Sequence, residues 1–314
     1  MSYSVTGRPR GAGWVAGILA LGLLVGMSVI LWTASSASAA PDGPEKVFAL
    51  TTSDNLLRFD GDNPEMVNRK KITGLVGGES LVGIDFRPSS QMAGQQRALY
   101  GIGDQSYIYT IDPMTAVATR GARIMADGAP VALRGASFGI DFNPTVDRLR
   151  IVSSANQNLR VNVDTGALAD FDPATPGTQP DRDLQYADGD QNAGTDPDVT
   201  SVAYRNSQAS AFGGTTELYD IDPATDDMSE QDPPNNGTLV TEGMLGKNVN
   251  RFAGFDIVTV GTSPAGDEGY AALQPMQSST FYRVNLDTGR IAQIGRIGGP
   301  GTDVEGLAIP IGQR

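Results

Sequence analysis

The chain has 314 residues, 39% hydrophobic and 19% charged, with 39 Gly, 19 Pro and neither Cys nor His. That make-up suits a soluble, turn-rich β protein. It excludes a Ser–His–Asp triad, a Cys–His pair, a conventional zinc site and any disulfide. Arg8 and Arg10 are the only charges in residues 1–40, so the rest of the chain holds the other 21 basic and all 36 acidic side chains. Its net charge of −15 repels phosphate backbones and anionic headgroups, which excludes nucleic acid as a partner.

Residues 7–40 have the layout of an export segment. Two arginines precede an apolar run from Trp14 to Trp32, and Ala37-Ser38-Ala39 fits the small-x-small pattern of a cleavage site. The run is also close to the length of a membrane span, so an uncleaved anchor is the rival reading. Residues 1–40 are therefore a signal peptide or N-terminal membrane anchor, and 41–314 a single domain. The body is expected outside the cytoplasm, secreted or held on the outer face of the membrane. Membrane contact would come only through residues 14–32, if they are retained.

The body opens with two strand patterns, "KVFALT" (46–51) and "NLLRFDGDN" (55–63). An apolar strand beginning at a small residue then recurs as "VGIDF" (82–86), "FGIDF" (138–142), "TSVAY" (200–204), "AGFDI" (253–257) and "EGLAI" (305–309). The small residues fall at 83, 139, 201, 254 and 306, a near-constant period. Second strands are expected at 98–103, 148–153, 210–214 and 269–273. Third strands, each running into an Asp-rich turn, are expected at 107–115, 158–166, 217–225 and 281–289. A fourth strand follows, as at 290–295. In "IDPMT" and "NVDTG" the Asp is expected to cap backbone amides while Pro or Gly sets the dihedral.

Four antiparallel strands, repeated, make a propeller blade. The chain starts on a second strand and ends on a first. The C-terminal strand therefore completes the N-terminal blade, and the fold class is an all-β, five-bladed β-propeller. Segments 125–137, 172–198 and 230–251 read as polar loops on the rim, where binding functions commonly lie.

Asp85, Asp141 and Asp256 occupy one position of the repeat, and Ala203 and Ala308 replace them in the other two copies. First strands are innermost, so these acids belong near the central channel. They could form a carboxylate pair for glycoside hydrolysis or an oxygen cage for calcium. Alternatively they accept backbone hydrogen bonds from the neighbouring blade. A residue that recurs with the repeat is better explained by a task that recurs with it, so they are read as channel-proximal structural acids and no residue is assigned a catalytic role. A second acidic stretch, "YADGDQNAGTDPDV" (186–199), spaces Asp188, Asp190, Asn192 and Asp196 as oxygen ligands around a turn. Without His or Cys, calcium is the one cofactor these residues suggest. The spacing is not that of an EF-hand, and a solvated loop is the plainer reading. In "PPNNGTLV", Asn236-Gly237 signals a hairpin.

The stretches "FGIDFNPTVDRLRIVSSANQNLRVNVDTG" (138–166), "DQNAG" (190–194), "VAYRNS" (202–207), "LYDIDPATD" (218–226), "PPNNGTL" (233–239) and "FAGFDI" (252–257) resemble, in order, the secreted bacterial family called domain of unknown function 4394. The resemblance spans about 46 to 309. It implies export from a bacterium and a propeller-like β fold, and it carries over no activity and no catalytic residues. The function expected is that of an exported, non-catalytic binding or scaffold propeller, calcium-stabilised if an ion binds. It would meet a protein or carbohydrate ligand through its rim loops. The alternative is a carboxylate-dependent glycosidase or lyase on an extracellular polysaccharide. Against the alternative, Trp14 and Trp32 are the only tryptophans, which leaves the body none to stack on a sugar.

Overall fold

The computed structural model describes residues 43–88, 98–208, 214–261 and 264–312, all within the compact unit Ala39–Arg314. The segment 7–40, expected to serve in export, and most of the strand expected at 210–214 lie outside these residues. In chain order the strands are β1 (Val47–Thr51), β2 (Asn55–Asp60), β3 (Asn63–Lys71), β4 (Leu81–Phe86), β5 (Leu99–Gly103), β6 (Tyr107–Ile111) and β7 (Ala118–Arg123). A short ribbon follows, β8 (Met125–Ala126) with β9 (Ala129–Pro130), then β10 (Phe138–Asn143), β11 (Arg148–Ser153) and β12 (Asn158–Val161). The remainder is β13 (Gln185–Tyr186), β14 (Ser201–Tyr204), β15 (Leu218–Asp222), β16 (Asp227–Gln231), β17 (Thr238–Met244), β18 (Ala253–Thr259), β19 (Asp267–Leu273), β20 (Thr280–Val284), β21 (Ile291–Arg296) and β22 (Val304–Ala308).

These strands build five blades, ordered β22-β1-β2-β3, β4-β5-β6-β7, β10-β11-β12, β14-β15-β16-β17-β13 and β18-β19-β20-β21. The innermost strands β22, β4, β10, β14 and β18 each contact the next, and the series returns to its start. The fold is a five-bladed β-propeller. Its ring closes as the sequence implies: β22 pairs antiparallel with β1, Phe48 opposite Ala308 and Leu50 opposite Gly306.

Period-two alternation makes the ring cohere. Successive side chains leave a strand on opposite faces, and inside a propeller both faces meet another blade. On β1, Phe48 and Leu50 join the apolar cluster shared with the second blade, while Val47 and Ala49 join the one shared with the fifth. Five buried clusters result, one at each blade interface. Edge-to-face aromatic pairs cross three of them: Phe48–Phe86, Tyr100–Phe142 and Phe59–Phe281, each with centroids 5.4 Å apart.

The fourth blade departs from the expected order. The "ELYDIDPAT" segment is its second strand, not its third: β15 pairs directly with β14, Val202 opposite Asp220. The segment 230–251 is not a loop throughout, since β17 lies within it and pairs with β16. The turn at Asn236-Gly237 does join a hairpin, as a short 3-10 turn closed by Gly237 at φ 66. The third blade is thinner than expected, its fourth strand reduced to a bridge between Val161 and Leu168.

Hairpins of the second to fifth blades share a five-residue turn. Asp112 Oδ1 accepts the amides of Met114 and Thr115, Asn143 Oδ1 those of Thr145 and Val146, and Asn162 Oδ1 those of Asp164 and Thr165. The fifth residue has positive φ: Ala116, Asp147, Gly166, Asp226 or Gly289. In the Asp-Thr-Gly turns the cap is therefore the Asn two places earlier, and the Asp is free for other work.

The small residues of the inner strands are set by close approach. A Cβ on Gly139 would stand 2.6 Å from Ser201 Cα, and one on Gly254 would stand 2.6 Å from Leu307 N. Both neighbours are backbone atoms of the next blade, which cannot step aside. Gly254→Ala should therefore destabilise by about 1–3 kcal/mol, as overpacking does. Gly77→Ala, where nothing lies within 4 Å, should stay within about 0.5 kcal/mol of wild type. Equal denaturant midpoints for the two variants would remove the close-approach argument.

Candidate functional site

Asp85 on β4, Asp141 on β10 and Asp256 on β18 converge at the axis, each offering a carboxylate oxygen within 4.8 Å of the others. They are 5%, 6% and 6% exposed. Each lies two residues after the small residue, on the face of its strand that meets the following blade, and reaches that blade's backbone. Asp85 Oδ2 accepts the Phe142 amide at 2.8 Å, Asp141 accepts that of Tyr204, and Asp256 Oδ2 accepts that of Ile309 at 2.5 Å.

The alanines at the other two positions do not leave orphans. Ala308 cannot reach the Phe86 amide, and Asp85 takes that amide itself at 2.6 Å. Ala203 cannot reach the Ile257 amide, and Asp256 takes it. Three carboxylates thus satisfy five equivalent amides, Phe86, Phe142, Tyr204, Ile257 and Ile309. A buried amide left unpaired would cost about 1–3 kcal/mol.

Burial first, and then the like charge of Asp256, hold the Asp85 carboxyl well above the usual range. Burial and then Asp85 do the same for Asp141, and burial lifts Asp256 to about 7. Beside the acids the axis is filled. The space enclosed by Gly83, Gly139, Ser201, Gly254 and Gly306 has a volume of about 10 Å³, room for about one water. The carboxylates are as close as those of a retaining glycosidase, yet no sugar ring fits next to them.

The acidic stretch 186–199 folds against the fourth blade. Asp190 accepts the Thr241 amide and hydroxyl, both at 2.8 Å. Asn192 donates to Asp227 at 2.5 Å and to Thr241 at 3.0 Å. Asp196 goes elsewhere, accepting from Asn156 at 2.7 Å, and Asp188 is exposed. Among the described residues, the group of three carboxylates that closes around a point is the axial one.

Two hollows went unnoticed in the sequence. One, of about 1320 Å³, is lined by β20, β21 and the 275–278 turn, with Glu65, Lys247 and Pro300 on its walls. Lys247 and Arg296 face it and make no ion pair among the described residues. Met276, at 82% exposure, stands beside them. The other, of about 560 Å³, holds Asp267, Glu268 and Arg283. Two of its acids are engaged: Asp267 accepts from Arg205 at 2.9 Å, Glu268 from Arg283 at 2.8 Å. Unpaired cations in an acidic chain are the signal that could have pointed to the first hollow, but nothing in the sequence brings positions 247 and 296 together.

The model of the domain of unknown function DUF4394 matches residues 55–308, and the chain belongs to that family. No curated protein matches it significantly. Among solved structures, a Bacteroides fragilis protein provisionally named 6-phosphogluconolactonase is similar at TM-score 0.38 and 12% identity, covering 85% of this chain and 98% of its own. A Bacteroides uniformis protein with the same provisional name reaches 0.37 and 13%, covering 82% and 83%. Glutaminyl cyclase from Myxococcus xanthus reaches 0.37 and 12%, covering 77% and 97%.

The axial acids carry a pH dependence of stability. An acid whose pKa is raised by folding stabilises the fold below its unfolded pKa, and loses that contribution as pH rises through the folded value. For Asp256 the window runs from about 4, the unfolded Asp value, to about 7. The melting temperature should fall across it. Asp256→Asn keeps an oxygen for the Ile309 amide and cannot ionise, so its fall should be shallower. Parallel curves for the two proteins would show that Asp256 does not titrate there.

Proposed function

We propose that this DUF4394 propeller is an exported, non-catalytic binding module that takes an anionic, hydroxyl-rich ligand in the hollow against its fifth blade, with an acidic oligosaccharide as the ligand class. The observation that carries this reading is the pair of unpaired cations, Lys247 and Arg296, facing a hollow of about 1320 Å³ in a body of net charge −15. Asn248, Gln277, Ser278 and Gln293 add hydrogen-bonding groups suited to hydroxyls, and Met276 and Pro300 add apolar surface for the C–H faces of a ring. Most of the acidic surface repels such a ligand, and Lys247 and Arg296 give this wall a local attraction.

Binding is favoured over hydrolysis by the same geometry. The axial acids are engaged by backbone amides beside a filled axis. A general acid and base need contact with the scissile bond.

Titration with oligogalacturonate, and with a neutral cello-oligosaccharide of equal length, tests the reading. The acidic ligand should bind and the neutral one should bind at least tenfold more weakly. A double variant, Lys247→Ala with Arg296→Ala, should lose about tenfold in affinity or more, equivalent to about 1.4 kcal/mol. Equal affinity for both sugars, or no effect of the double variant, would defeat the proposal.

A further inference from the structure

Five oxygen atoms on one face of the fourth blade have no hydrogen-bond partner among the described residues. They are both carboxylate oxygens of Asp220, Oδ1 of Asp227, Oγ of Ser229 and Oε1 of Gln231. Their residues are 0–1% exposed. Asp227, Ser229 and Gln231 alternate along β16 and so share a face. The register sets Asp220 directly opposite Ser229, and Asp222 opposite Asp227. Residues opposite each other in an antiparallel pair have Cβ atoms about 4.5–5.5 Å apart, so Asp220 and Ser229 can serve one centre.

This face looks toward the third blade. Val202, Leu218 and Leu239 on it pack with Val152 of β11. Arg150, on the same β11, donates to Tyr204, Asn158, Asp181 and Asn235. Its guanidinium thus meets Asp181 at 2.6 Å; its charge is felt at Asp220, but no hydrogen bond joins the two.

Buried polar atoms are normally satisfied, and a buried carboxylate without a donor is among the costliest exceptions. Four of the five atoms can only accept when Asp220 and Asp227 are ionised, and the fifth belongs to a hydroxyl. The Gln231 amide nitrogen already donates to the Pro234 carbonyl at 2.5 Å, so its oxygen is the end left over. A set of acceptors without donors is completed by a positive centre. Carboxylate, hydroxyl and amide oxygen, with no nitrogen or sulfur, is the ligand chemistry of a hard cation. Calcium accepts six to eight oxygens in irregular geometry and takes bidentate carboxylates, whereas magnesium holds its waters and demands an octahedron.

We propose that Asp220, Ser229 and Gln231 form a calcium site buried between the third and fourth blades, with Asp220 as the bidentate ligand. Asp227, two residues along the same face, supplies a second negative charge. The segment 186–199 closes over it, since Tyr186 donates to Asp222 at 2.7 Å and Asn192 to Asp227. The acids spaced along that segment then form the cover of the site, and its ligands come from the sheet beneath.

Thermal unfolding of the full chain after dialysis against EDTA, with calcium or magnesium chloride added back to 10 mM, tests the site. At a hundredfold excess over Kd, calcium should raise the melting temperature by about 5–10 °C, and magnesium should raise it far less. Asp220→Asn, which is isosteric and uncharged, should melt without a calcium shift. Ser229→Ala should show a reduced one, and Asp256→Asn at the axis should keep it in full. No shift in the wild type, an equal shift with magnesium, a full shift in Asp220→Asn, or its loss in Asp256→Asn would each overturn the assignment.

Discussion

The hydrogen bond from an inner-strand amide to the carboxylate of the preceding blade is the constraint on which the ring depends. It is short, buried and repeated, and it joins elements far apart in sequence: Asp85 to Phe142, Asp141 to Tyr204, Asp256 to Ile309. Apolar packing at the interfaces supplies most of the cohesion but tolerates sliding. A carboxylate that accepts one particular amide does not, so it sets the height of each blade against the next. The small residues two places earlier allow the inner strands to approach closely enough for the bond to form.

The same constraint explains why two positions can be alanine. Five carboxylates around one axis would concentrate five like charges in a volume already poor in water, and each pKa would climb further. Three carboxylates with two oxygens apiece cover five amides with the least charge. Asp85 and Asp256, the acids that follow the alanine blades, are those that take their own amide as well as the neighbour's. The departure from perfect repetition is thus electrostatic economy rather than decay of the repeat. A second clasp lies near the rim of one interface. Arg87, at the end of β4, grips Asp147 and Asp164 in two turns of the third blade at 2.5–2.8 Å. Asp164 is the acid of a "DTG" turn, released for this bond because Asn162 does the capping.

The ring was legible in the sequence because every inner strand meets the same environment, and the same environment selects the same pattern: small residue, apolar pair, acid or alanine. The pairing of residues 46–51 with 305–309 could be read for the same reason, since an incomplete blade at each end has one way to become whole. The order of strands in the fourth blade was not. There the Asp-Pro-Ala-Thr turn follows the second strand, while in the second, third and fifth blades its counterparts follow the third. Turn chemistry encodes a local reversal of the chain and is silent on which hairpin of a blade it closes. The hollow against the fifth blade was illegible for another reason. Lys247, Met276 and Arg296 come from separate turns and strands, brought together by the packing of the fifth blade, and no periodicity links them.

The blades divide the work unevenly, and the division follows their edges. The second and fifth, with four strands each in regular order, carry axial acids whose amide partners are all accounted for. The fourth has lost its axial acid to Ala203, gained a parallel outer strand at β13 and taken the insertion 172–198 against its face. Its polar side chains point into an interface that elsewhere is apolar, with Arg150 and Asp181 at 1% and 0% side-chain exposure on one side and Asp220 on the other. Replacing apolar contacts by buried charge is seldom a gain in stability by itself. At this interface the exchange gathers under the segment 172–198, which supplies Asp181. The oxygens of Asp220, Ser229 and Gln231 beneath it have no partner among the described residues, and it is there that the proposed calcium would bind.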